Sequence, residues 1–190
     1  MNQLTPLKEE IRLQAKNGVD FMLAAGLIWL LIAYIWTLDY TSYDRSVLTF
    51  IVGALMLPLA FGFSKILKTN WTIKGNPLDP LGLWLNLAQL FYFPFLVFML
   101  IKQPDNFIMA YAIITGAHFF PYAWFYDEIG YAIAAGTISV GALLIALLSE
   151  SNQMLMVPLF TAAVLFLLAI RLFYSHRQLT KRTEGKSNGN

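Results

Sequence analysis

The sequence has no cysteine and little charge: of its 190 residues none is Cys, and only 13% are Asp, Glu, Lys or Arg. The first absence excludes disulfides, thiolate metal sites, cysteine nucleophiles and lipid anchors attached through sulfur. The second separates the chain from soluble domains, in which about a quarter of residues are charged. No phosphate-binding glycine loop, HExxH helix or Ser-His-Asp set is present. No second nitrogen or sulfur ligand lies near a histidine at metal spacing. Neither a metal nor another cofactor is expected. The formal net charge is only +2, and the basic residues form no recognition motif, which excludes nucleic acid as a partner.

What is abundant is apolar: 58% of the residues are hydrophobic and 15% aromatic. A soluble core of this size cannot hide so much apolar surface, so the lipid bilayer must solvate much of it. Crossing a hydrocarbon core about 30 Å thick takes about 20 apolar residues. Six stretches qualify: Val19–Leu38, Ser46–Leu67, Leu81–Ile101, Phe107–Tyr126, Ile129–Leu148 and Met154–Tyr174. The first is too long for a signal-peptide core and reads as a retained span. Only Asp127 and Glu128 clearly separate the fourth from the fifth.

Polar connectors punctuate the spans: Asp39–Arg45, the Asn76-Pro77 to Asp79-Pro80 breakers, Lys102–Asp105 and Ser149–Gln153. With the N-terminus inside, eleven of the 13 Lys and Arg fall on the inner side, and only Arg45 and Lys102 lie outside. That bias fits six crossings with both termini cytoplasmic. The fold class is therefore an all-α polytopic bundle of six transmembrane helices. Residues 1–17 form a cytoplasmic arm, 18–174 the membrane domain, and 175–190 a basic tail of disordered composition. Within the arm, Thr5-Pro6 suits a helix start, and Leu4, Leu7, Ile11 and Ala15 share one face. A short interfacial helix is expected there.

The fourth span carries a polar stripe. Tyr111, Thr115, His118, Tyr122 and Tyr126 fall within about 80° of arc, so they should face the bundle interior or a water-filled space. Ile108, Ile113 and Phe120 occupy the opposite face. In the third span Asn86 and Gln89 share a face and would either line a cavity or bind helices together. These seven residues are the candidate polar cavity. Asp127 and Glu128 are the candidate inner-surface acids, read either as acid–base groups or as caps of the next helix. Asp20 reads as an end-of-helix residue. Pro58, Pro94, Pro121 and Pro158 should kink their spans, and Ala135, Ser139, Ala142 and Ala146 form a close-packing face.

The run Gly116-Ala117-His118-Phe119-Phe120-Pro121-Tyr122-Ala123-Trp124-Phe125-Tyr126, in a six-span chain of this length, resembles a family of small bacterial membrane proteins of unknown function. The resemblance implies a bacterial inner or plasma membrane and brings no activity with it.

Three readings follow. The lead is passive movement or binding of a small solute in a polar cavity between spans 3 and 4. The second is an accessory or assembly subunit whose polar groups bind a membrane protein partner or a second copy. The third is an enzyme acting on a lipid or lipid-linked substrate at the inner surface, which requires His118, Asp127 and Glu128 to converge.

Overall fold

A computed structural model describes residues 4–149 and 154–187. Every regular element among them is helical: α1 (Leu4–Gln14), α2 (Val19–Ile35), α3 (Ser42–Gly53), α4 (Met56–Leu67), α5 (Asp79–Ala88), α6 (Phe93–Lys102), α7 (Phe107–Phe125), α8 (Gly130–Leu148) and α9 (Met156–Ser187). Short 3-10 turns join several of them. These elements make six helical segments long and apolar enough to cross a membrane, starting at Lys16, Ser42, Asp79, Pro104, Gly130 and Met156. The six-span, all-α reading holds. Most of the expected Ser149–Gln153 turn lies outside the described residues, as do 1–3 and 188–190.

The prolines act unequally. Proline lacks an N–H, and its ring crowds the carbonyl four residues earlier. The second span accordingly breaks at Ala54–Leu55, just ahead of Pro58, and divides into α3 and α4. The third tightens into a 3-10 turn at Gln89–Tyr92, just ahead of Pro94. Pro121 is carried inside a continuous α7. The kink expected from Pro158 is absent, because that residue occupies the first turn of α9, where no N–H bond is lost.

The spans also differ in their share of the interior. Over an 18-residue stretch the first span is 67% buried, the third only 11%. The principal core joins α2, α7, α8 and α9, with Trp29, Ile108, Tyr131 and Leu165 among its buried side chains. α7 and α8 make the closest pair, since Gly116 faces Ser139 and Ile138 where a Cβ would stand 2.8–2.9 Å from their atoms. Ser139 also donates to the Ile113 carbonyl at 3.3 Å. The small-residue face expected in span five thus packs as read.

At one end of the bundle the polar segments meet. α1 lies against the loop after α4 and against α9: Asn76 Nδ2 donates to the Leu7 carbonyl and to Glu10, both at 2.9 Å. Ile11, on the expected apolar face of α1, is buried against protein. α9 continues through Ser187, so the tail read as disordered is helical that far. Its composition suits disorder, but tertiary contacts with α1 hold it. Thr183 donates to Glu9 at 3.4 Å, and Arg12 donates to Ser175 at 3.4 Å.

Candidate functional site

The chain enters its first span through an unusual turn. Lys16, Asn17 and Gly18 all have positive φ (48°, 55° and 71°). Each left-handed L-residue costs about 1–2 kcal/mol, so neighbours must compensate. Tyr131 of α8 donates its hydroxyl proton to the Asn17 carbonyl at 2.6 Å. The Asn17 side chain accepts from Arg12 Nε and donates to the Leu172 carbonyl, each at 3.4 Å. Gly18 is required, because a Cβ there would stand 3.0 Å from the Tyr131 hydroxyl and 3.1 Å from that of Tyr126. Lys16 caps the end of α4 by donating to the Leu67 carbonyl at 2.7 Å, the favourable place for a cation.

Asp20 follows directly, and the structure corrects its reading as an ordinary helix-end residue. It is 1% exposed. Its Oδ2 accepts from the Thr69 hydroxyl at 2.6 Å and from the Trp71 indole at 2.7 Å. A buried carboxylate needs such partners. It therefore stitches the first span to the loop after α4.

The stripe on α7 turns inward, as its spacing predicts. Thr115, Tyr122 and Tyr126 are buried, while Tyr111 and His118 are half-buried. Its start is closed by aromatic rings: Tyr111 stacks on Trp29 and on Phe107, with centroids 5.4 and 5.9 Å apart. Its end is a tyrosine stack, in which Tyr126 lies parallel to Tyr122 at 6.0 Å and to Tyr131 at 5.6 Å. His118 meets Tyr122 edge-on at 5.4 Å. Within this stack the Tyr122 hydroxyl is shut away from solvent and has no hydrogen-bond partner among the described residues.

The third span approaches this region loosely. A Cβ on Gly82 would touch the Phe125 ring at 3.2 Å, which brings α5 against the end of α7. Asn86 lies one turn further along α5, about 6 Å from Gly82. Asn86 donates to the Gly82 carbonyl at 3.0 Å, leaving its amide oxygen without a partner among the described residues. Gln89 falls in the 3-10 turn, half-buried; its backbone N–H reaches the Asn86 carbonyl, while its side-chain amide makes no hydrogen bond among the described residues.

The two acids diverge. Asp127 has a left-handed backbone (φ 45°) that closes α7. The Glu128 N–H reaches the Ala123 carbonyl at 3.0 Å and the Asp127 N–H the Trp124 carbonyl at 3.3 Å, a Schellman ending. The exposed Asp127 carboxylate pairs with Arg12 at 3.4 Å. Glu128 instead points inward, where its carboxylate is 5% exposed and accepts from Arg171 Nε at 2.8 Å and the Gly130 N–H at 3.0 Å. Burial pushes the Glu128 carboxyl up, but Ser175, the Gly130 N–H and the Arg171 guanidinium together outweigh it and hold the acid below its usual range. The capping reading therefore describes Glu128, and no hydrogen bond among the described residues links His118 to either acid.

Sequence reasoning missed the links from Asp20 to Trp71 and from Asn17 to Tyr131. Their partners lie 51 and 114 residues apart, and periodicity within a span carries no signal for them. No group of three or more His, Asp or Glu suited to a metal occurs among the described residues.

The model of a protein family of unknown function, DUF7010, matches residues 4–175. No curated protein and no solved structure matches the chain.

Proposed function

We propose that this chain, which belongs to the DUF7010 family of unknown function, takes a small uncharged, hydrogen-bonding solute between its third and fourth spans. The observation that carries the reading is the Tyr122 hydroxyl, which lies on a residue 8% exposed and lacks a partner among the described residues. A buried polar group without a hydrogen bond costs about 1–3 kcal/mol, and a solute able to donate or accept recovers that cost. The Asn86 amide oxygen on the adjoining α5, without a partner among the described residues, supplies a second contact, and His118 a third. The solute is uncharged because no Asp, Glu, Lys or Arg lies near the middle of these two spans.

The positive-inside bias supports both termini on the cytoplasmic side, in a bacterial inner or plasma membrane. Entry of urea, glycerol and similar solutes into proteoliposomes tests the reading. Uptake faster than in protein-free vesicles, reduced by Tyr122→Phe, supports passage. Saturable retention without uptake supports binding alone, and neither effect counts against both.

A second reading, an assembly subunit, has one observation of its own. The side-chain amide of Gln89 sits on the least buried span without a partner among the described residues, and an amide in a membrane helix commonly finds one on a neighbouring helix. A protein that co-purifies with the wild type and not with Gln89→Leu supports it.

A further inference from the structure

A groove lies at the polar end of the bundle, between the start of α2, the end of α4 and the exit of α9 from the sixth span, with a volume of about 570 Å³. Three cations line it: Lys16, Arg177 and Lys181. No Asp or Glu contributes to its walls. The opposite side of the same end offers a contrast, for there Lys8, Glu9, Arg12 and Asp127 line a smaller hollow of about 260 Å³. In that hollow the charges offset one another, as in the Arg12–Asp127 pair.

In the larger groove the cations are left over. Arg177 lies over the Phe173 ring at 4.6 Å, and neither it nor Lys181 has a carboxylate partner among the described residues. Lys16 uses one of its three donors on the Leu67 carbonyl and keeps two. The remaining walls are chemically divided. Val19, Leu67 and Phe173 are apolar and lie toward the spans, while Thr180 lies one turn beyond His176 along α9. Cations at one end and hydrocarbon at the other, at the mouth of a transmembrane bundle, match an amphiphile whose head is anionic.

We propose that this groove binds an anionic phospholipid of the adjoining leaflet, its phosphate held by Arg177, Lys181 and Lys16 and its first acyl carbons against Val19, Leu67 and Phe173. The site is separate from the stripe on α7 and independent of what that stripe does. It fixes the helical exit of α9 to the membrane surface, and with it α1, which α9 carries through Arg12 and Ser175.

Native mass spectrometry of the full chain, released from an uncharged detergent with added phosphatidylglycerol or phosphatidylcholine, tests the assignment. One retained phosphatidylglycerol is expected, and little phosphatidylcholine. Lys181→Gln and Arg177→Gln should each weaken retention about fivefold, the worth of one cation at an anionic surface. Arg177→Lys should largely preserve it, and Lys65→Gln, outside the groove, should leave it unchanged. Lys181 is exposed and its side chain makes no hydrogen bond among the described residues, so its replacement leaves the fold intact. Equal retention of the two lipids, or indifference to both Gln variants, overturns the proposal. Displacement by millimolar inorganic phosphate overturns it too, and assigns the groove to a soluble phosphate compound.

Discussion

The Tyr131 hydroxyl lies 2.6 Å from the Asn17 carbonyl and ties the fifth span to the left-handed turn that opens the first. Both residues are buried, so Tyr131→Phe leaves a carbonyl without a donor. The loss should be about 1–3 kcal/mol of stability, read from reversible unfolding in mixed micelles. An unchanged unfolding midpoint would show that the turn holds itself.

Asp20 should matter as much, and through partners far along the chain. Asp20→Ala strips the acceptor from both Thr69 and Trp71. A loss of about 2–4 kcal/mol is expected from two orphaned donors, the buried Thr69 hydroxyl and the indole of the more exposed Trp71. In a double-mutant cycle, Thr69→Val should couple to Asp20→Ala by at least about 0.5 kcal/mol, and additive effects would contradict the shared carboxylate.

Glu128 gives a pH dependence whose sign is fixed. Its carboxyl is held below the usual value of 4.5 in the folded chain. The stabilisation is therefore complete at neutral pH and is lost as the pH falls below about 4.5 through the folded-state value. Glu128→Gln should be less stable than wild type at pH 7 and should nearly match it in acid. A gap that stays constant with pH would place the effect in packing rather than in charge.

Close packing of α7 on α8 predicts a steric penalty. Gly116→Ala places a methyl 2.8 Å from Ser139 Oγ and 2.9 Å from Ile138. Overpacking of this kind costs about 1–3 kcal/mol. The partner change Ser139→Gly in the same chain should recover part of the loss, and no recovery would locate the strain elsewhere.

The spans were legible because a bilayer demands apolar runs of one length, and the inward turn of Thr115, Tyr122 and Tyr126 was legible because helical period is local. The helix from Tyr174 to Ser187 was not. Its residues are polar, and what orders them is contact with Arg12 and Glu9 at the other end of the chain. Asp20 misled for the same reason, since its partners sit beyond the second span. Asp127 and Glu128 are adjacent in sequence yet serve Arg12 and Arg171 on different helices. A left-handed residue at 127 sends them apart, and composition does not report it.

The absence of cysteine makes one experiment direct. Single cysteines at Asn86, Thr115, His118 and Tyr122, with the exposed Phe120 as lipid-facing control, are challenged from each side with a membrane-impermeant thiol reagent. Labelling of Tyr122→Cys, His118→Cys and Asn86→Cys, with Phe120→Cys silent, is the result expected of a solute site between the third and fourth spans. Folded variants that stay unreactive at all three positions from both sides would contradict it, and would leave the stripe as packing between helices.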